Sequence, residues 1–276
     1  MLTIKAALEE ATHAIGRVDA QVLMAHLLGV NRAYLAAHPM RVLTESEDAR
    51  VDMYVAQRAM GQPVAYLIGR REFYSREFEV SPDVLIPRPE TETLVEEALE
   101  ACRPRADGGP TSVLDLGTGS GILAITLACE LPVIAVTATD TSATALDLAR
   151  RNAASLGAQV EFLEGSWYAP VPGRRFDCIV SNPPYIAAAD PHLGAGDLRF
   201  EPAQALTDGS ADGLDSIRAI TRGAREHLKP GGWLLLEHGY DQQGAVAKIL
   251  AEAGFGELAS IPDLAGIPRV AGGKIE

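Results

Sequence analysis

Ser112-Val113-Leu114-Asp115-Leu116-Gly117-Thr118-Gly119-Ser120-Gly121 passes from a short apolar run into a glycine turn, and its reading decides the fold. The first five residues read as a strand and Ile122–Glu130 as the helix that follows. The glycines between them allow a tight turn whose backbone a ligand can approach with no Cβ in the way. In a doubly wound α/β sheet, nucleotide-like ligands bind at the carboxyl end of such a strand. The spacing is GxGxG, and Ile122 stands where a dinucleotide fingerprint places its last glycine. The turn therefore favours S-adenosyl-L-methionine over NAD, because no pyrophosphate needs close access to the helix start. Gly117, Thr118, Gly119, Ser120 and Gly121 are the candidate cofactor contacts.

The same alternation continues outward. Strands are expected at Val133–Thr139, Val160–Leu163, Phe176–Ser181 and Trp233–Glu237, with helices at Ser142–Ser155, Leu214–His227 and Gln242–Ala253. Gly256–Lys274 supplies two further short strands. This predicts an α/β, Rossmann-like domain built on a mostly parallel seven-stranded sheet covered on both faces. Upstream, a helix from about Glu90 puts Thr91, Leu94, Val95, Ala98 and Leu99 on one stripe, and a Gly- and Pro-rich loop, Arg103–Pro110, follows it. Thr3 to Ile68 reads as short helices forming a small bundle. In it, Asp19 is the expected N-cap and Gly29 the stop of one helix, while Thr44 and Glu47 have capping-box spacing ahead of another that ends near Gly61 and Pro63. Glu72–Val80 has the pattern of a hairpin. The expected domains are thus 1–70, a helical bundle; 71–88, a hairpin linker; and 89–276, the cofactor-binding domain.

Composition narrows the chemistry. The chain has 276 residues, 47% hydrophobic and 22% charged, which is ample for a core. No apolar run approaches the length of a membrane span, and the N-terminus lacks the layout of a signal peptide, so the expected address is the cytoplasm. Cys102, Cys129 and Cys178 are too sparse for a disulfide framework or a zinc site and read as buried structural thiols. The histidines show no metal-ligand spacing. A net charge of −13 repels a phosphate backbone and lowers the expectation of direct nucleic-acid binding.

Two further strand ends carry chemistry. Asp140 closes the second expected strand, near the offset at which an acidic residue meets ribose hydroxyls; its bland alternative is an N-cap of the helix it precedes. Trp167, just past the third strand, suits adenine by stacking, although a lone tryptophan is more often core. Phe176–Ser181 ends in Asn182-Pro183-Pro184-Tyr185. Two prolines stiffen this turn, so Asn182 Oδ1 and the Pro183 carbonyl can act as two aligned acceptors. A primary amide or exocyclic amine offers two N–H donors to match them, and Tyr185 can stack on the planar group. Such holding is catalysis by positioning, with no acid or base required. The expected acceptor is therefore an amide-type nitrogen held by Asn182, Pro183, Pro184 and Tyr185, with Asn182 also touching the cofactor.

At these residues the chain closely resembles the HemK/PrmC family, the release factor glutamine methyltransferases. Gln62–Gly69, Leu85-Ile86-Pro87-Arg88-Pro89-Glu90-Thr91-Glu92, Glu201-Pro202 and Leu236-Glu237-His238-Gly239 also look like family signatures. The resemblance implies methylation of the glutamine amide in the Gly-Gly-Gln loop of class I peptide release factors. It also implies a helical N-terminal domain, a hairpin linker and a Rossmann-like class I methyltransferase domain. Ser166 departs from the pattern, since relatives often carry an acid before the tryptophan. Two rival readings remain at this point: an amino-group methyltransferase acting on adenine or guanine in nucleic acid, and a non-enzymatic cofactor-binding module. Release-factor docking is expected of the helical domain and a monomer of the whole. The loop from Ala187 to Asp212 has the length of a lid, in which Asp190 and Glu201 read equally as solvated charges, and Arg88 and Glu90 as structural.

Overall fold

The computed structural model describes residues 2–102 and 111–276; the expected loop Arg103–Pro110 lies outside them. The chain divides into two compact units, Met1–Arg70 with Ala195–Phe200, and Arg71–Gly194 with Glu201–Glu276. Among the described residues no helix is long and apolar enough to cross a membrane.

The first unit consists of helices α1 (Ile4–Ile15), α2 (Arg17–Leu28), α3 (Arg32–Ala37), α4 (Glu45–Ala59) and α5 (Val64–Ile68). Ile4, Ala7, Met24, Leu27, Leu35, Leu43 and Val51 make its core. The capping box forms as expected, with the Thr44 hydroxyl accepting from the Glu47 amide and Glu47 from the Thr44 amide. Such a cap is worth about 1 kcal/mol. Gly29 ends α2 in the left-handed conformation. Asp19 does not cap that helix: it lies inside the first turn and accepts from Arg58 Nε at 2.7 Å, while Gly16 occupies the cap. The spacing had suggested a local partner, but a long-range cation took the carboxylate. Arg58 also pairs with Asp197 at 2.8 Å, and Arg199 donates to the Met60 carbonyl at 2.6 Å, fixing Ala195–Phe200 to these helices.

The second unit opens with the expected hairpin, β1 (Arg70–Phe73) and β2 (Arg76–Glu79), turned by Tyr74 and Ser75 at φ 49° and 60°. Helix α6 (Glu92–Ala101) follows a short turn of 3₁₀ helix, Pro89–Thr91, so the expected helix starts slightly late. The seven-stranded sheet contains β3 (Ser112–Leu116), β4 (Ala135–Asp140), β5 (Val160–Glu164), β6 (Phe176–Ser181), β7 (Leu228–Glu237), β8 (Gly256–Pro262) and β9 (Pro268–Lys274). Its order is β5-β4-β3-β6-β7-β9-β8, parallel from β5 to β7 and antiparallel at β9 and β8. Helices α7 (Ile122–Glu130), α8 (Ala143–Leu156), α9 (Ala203–Leu206), α10 (Asp215–His227) and α11 (Gln243–Glu252) complete it.

Alternation along each strand divides the apolar residues between two faces. Val113, Cys178, Val180 and Leu235 join a cluster with Leu94 and Val95 of α6 and Ile125 of α7. Leu114, Leu116, Ile179, Leu234 and Leu236 join one with Ile217 and Ile220 of α10 and Val246 of α11. Both faces are covered, so the carboxyl edge around β3 is the open place for a ligand. Cys102 and Cys178 are buried as expected, but Cys129 is only partly so. The Cys178 thiol is pushed up by hydrogen bonding to Cys102 and by burial, which leaves it unreactive.

Candidate active site

The carboxyl ends of β3, β4 and β6 meet at one cavity of about 380 Å³, bordered by Gly117, Thr118, Gly119, Ser120, Asp140, Trp167, Asn182 and Pro184. Gly117, Gly119 and Gly121 take φ of 73°, 55° and 87°, where a side chain is strained. The Gly117 and Thr118 amides both donate to the Thr139 carbonyl, at 2.9 and 3.0 Å, which locks the turn against β4. Gly121 does not border the cavity. A Cβ there would stand 2.6 Å from Ile125 Cδ1 and 3.1 Å from Ala149 Cβ, so its glycine serves packing under the turn.

Asp140 accepts from the Gly119 amide at 2.8 Å through Oδ2 and from the Ser142 amide at 2.9 Å through Oδ1. It is not the N-cap of α8; Ser142 is, accepting from the Ala145 amide at 3.2 Å. Each Asp140 oxygen keeps lone-pair capacity for a diol, since a carboxylate accepts about four hydrogen bonds in all. Trp167 is partly buried and sits at φ 45°, a conformation costly for an aromatic residue. Its carbonyl accepts from Thr139 Oγ1 at 3.1 Å, and a Cβ on Gly117 would lie 3.5 Å from its ring. That is ordinary contact, so it is the φ of 73° that calls for glycine at 117. Ser166 borders the same cavity.

Asn182 follows β6, whose last residue, Ser181, donates from its hydroxyl to the Leu116 carbonyl at 2.6 Å and so clamps the acceptor turn to the cofactor strand. Asn182 Nδ2 donates to Thr91 Oγ1 at 3.2 Å, leaving Oδ1 as the end of the amide free to face a ligand. Pro183 is buried and, like Tyr185, does not border the cavity. The Tyr185 ring packs partly buried on the α10 face, its hydroxyl donates to Glu237 Oε1 at 3.1 Å, and its carbonyl accepts from Gln242 Nε2 at 2.9 Å. Burial, then the Glu237 charge, push the Tyr185 phenol well above its ordinary range. Burial likewise raises Glu237 to about 7, against hydrogen bonding from the Thr91 and Tyr185 hydroxyls. Asp115, buried under the turn, is also raised to about 7 by burial, opposed by a 2.6 Å bond from Thr118 Oγ1.

Several residues that organise this site carried no functional reading. Asn152 of α8 donates to the Ser120 carbonyl at 2.9 Å and accepts from the Glu79 amide at 2.7 Å, joining the turn to the hairpin. One asparagine in an amphipathic helix gives no signal of this. Glu201 is not a solvated charge: its side chain is buried, accepts from the Ile86 amide at 2.9 Å and pairs with Arg88. Its place in the Glu201-Pro202 stretch that resembles a family signature was the available clue. Thr91 read as a member of an apolar stripe and of the Leu85–Glu92 signature, with no partner assigned to it.

The sheet order and the cavity at its switch point define a Rossmann-like methyltransferase. Residues 104–207 match the model of the methyltransferase small domain, and residues 3–69 that of the PrmC N-terminal domain. The fold is shared with a T. thermophilus 16S rRNA methyltransferase solved in complex with AdoMet and guanosine, at TM-score 0.54 and 22% identity, covering 75% of this chain and 50% of that one. Two relatives named release factor glutamine methyltransferase are each 51% identical. That of Xylella fastidiosa covers 98% of this chain and 97% of its own, and that of Burkholderia pseudomallei 94% and 92%. The chain belongs to the release factor glutamine methyltransferase family.

Proposed function

We propose that the protein methylates the side-chain amide nitrogen of the glutamine in the Gly-Gly-Gln motif of class I peptide chain release factors, using S-adenosyl-L-methionine. The observation that carries this reading is Asn182: it borders the cavity of the Gly117–Ser120 turn with Nδ2 already bonded and Oδ1 free. The residues fit the cofactor. An Asp140 carboxylate with spare acceptor capacity suits a ribose diol, Trp167 suits adenine, and the backbone of Gly117–Ser120 suits the rest. When bound, S-adenosyl-L-methionine supplies an electrophilic methyl carbon.

The chain's own contribution is positioning. Asn182 Oδ1 and the Pro183 carbonyl accept the two N–H bonds of a primary amide, which holds its nitrogen and restricts its rotation. Tyr185 buttresses this turn through Glu237. A methylated amide nitrogen is acidic enough to lose its extra proton to water, so no side chain need act as a base. The nucleobase alternative gains nothing from relatives named for release factors, and the net charge of −13 opposes it. We further propose that residues 1–70 dock the release factor, with 71–88 linking them to the catalytic domain 89–276, and that the enzyme acts as a cytoplasmic monomer.

Incubation with labelled S-adenosyl-L-methionine, unmodified release factor and ribosomal RNA tests the reading. Label is expected in the factor. Label in the RNA and not in the factor would overturn it.

A further inference from the structure

The cavity has two walls that no strand end supplies. Residues 83–85 border it, and so do Pro202, Gln204 and Ala205. Both walls belong to the same compact unit, and the residues next to them, Ile86 and Glu201, are 115 residues apart in sequence. The first wall lies between β2 and the 3₁₀ turn at Pro89, outside any strand or helix. Ile86 is buried there, so its amide has no ladder to bond to and needs a partner from elsewhere in the chain.

Glu201 meets that need. Its side chain is fully buried; Oε2 accepts from the Ile86 amide at 2.9 Å, and Oε1 accepts from Arg88 Nη2. Two donors converge on one group, and only a side chain that accepts at both ends serves them. A glutamine would turn a donor toward one of the two. Burying a carboxylate is costly unless it is paired and hydrogen-bonded, and an apolar residue of similar size fills such a space at less cost. What the carboxylate adds is a fixed geometry. Leu85 and Pro202, both at the cavity, each adjoin a residue of the Ile86–Glu201 bond. Ile86, Arg88 and Glu201 themselves do not border the cavity.

We propose that Glu201 is a positioning residue that, through the Ile86 amide and Arg88, clasps the walls 83–85 and 202–205 together and so retains bound S-adenosyl-L-methionine. This rests on the S-adenosyl-L-methionine reading for its ligand, but the clasp itself is a property of the free enzyme. Glu201 touches neither cofactor nor reacting atoms. Its loss lets the walls part, which acts on the escape of the cofactor more than on its entry.

The test compares Glu201→Leu, which keeps volume without either acceptor, with Arg88→Met and with the double variant. By calorimetry, Glu201→Leu is expected to bind S-adenosyl-L-methionine at least about tenfold more weakly than wild type. Stopped-flow fluorescence of Trp167, which borders the cavity, should place most of that loss in faster dissociation. Because both residues act through one clasp, the double variant should stay within about threefold of the weaker-binding single variant. Glu201→Gln, which keeps one acceptor, takes the place of Glu201→Leu should that variant fail to fold. A Glu201 variant with a lowered unfolding temperature but cofactor affinity within about threefold of wild type overturns the proposal, as do losses that multiply in the double variant. A second readout needs no ligand. In hydrogen exchange of the free enzyme, the Ile86 amide should exchange at least about tenfold more slowly in wild type than in Glu201→Leu. An Ile86 amide that exchanges in wild type as fast as an exposed one refutes the clasp. A wild-type enzyme with slow Ile86 exchange but no affinity for S-adenosyl-L-methionine would instead refute the cofactor reading, and with it the retention role.

Discussion

Tyr185 and Glu237 are joined by a 3.1 Å hydrogen bond from hydroxyl to Oε1, which ties the end of the acceptor turn to the carboxyl end of β7. The tyrosine thus braces the turn from behind, and it does not border the cavity where stacking on the acceptor was expected. Tyr185→Phe keeps the ring and deprives a buried carboxylate of a donor. Urea unfolding should show a loss of about 1–3 kcal/mol, with turnover reduced less than about tenfold. A collapse of turnover at unchanged stability would give the hydroxyl a part in the chemistry.

Glu237 also predicts a pH dependence. Unfolded, its carboxyl loses its proton near 4.5; folded, burial holds the proton to about 7. Between those values the folded state binds more protons, so this group's contribution to stability falls as pH rises through that window. Asp115, raised to about 7 by burial, acts in the same sense. Glu237→Gln has no proton to lose. Relative to wild type, its unfolding free energy should rise between about pH 4.5 and pH 8, by a few kcal/mol. Parallel stability curves for the two proteins would contradict the raised value.

Asn182→Ala removes the free Oδ1 and leaves the Gly117–Ser120 turn and Asp140 in place. Turnover should fall at least about 100-fold, with cofactor affinity by calorimetry changed only a few-fold. Near-normal turnover would end the positioning mechanism.

The glycines of the turn should separate by role. Gly121→Ala combines a φ of 87° with a Cβ 2.6 Å from Ile125 Cδ1, so chemical unfolding should show a loss of about 2–4 kcal/mol. At Gly119 no atom lies within 4 Å of the added Cβ, and the φ of 55° alone should cost about 1–2 kcal/mol. Because Gly119 borders the cavity and Gly121 does not, cofactor affinity should suffer more in Gly119→Ala.

The parallel sheet was legible because apolar runs such as Ser112–Leu116 and Phe176–Ser181 have no other stable use between amphipathic helices. The two site turns were legible for the same reason, standing at the carboxyl ends of two such strands. What escaped was every partner remote in sequence. Asp19 looked like a cap because caps are local, but Arg58 claims it. Thr91, Asn152, Glu201 and Glu237 act through bonds spanning 32 to 115 residues, and no spacing rule reaches that far. Tyr185 was assigned to the ligand from its place in the turn, while its contacts run to Glu237 and Gln242.

The central claim is that Asn182 and Pro183 present a glutamine amide for methylation. Fragment mass spectrometry of a release factor incubated with the enzyme and S-adenosyl-L-methionine tests it most directly. One added methyl group on the side-chain nitrogen of the Gly-Gly-Gln glutamine, absent when Asn182→Ala replaces the wild type, is the result expected. A methyl group at another residue, or an unmodified glutamine beside an active wild-type enzyme, would contradict it.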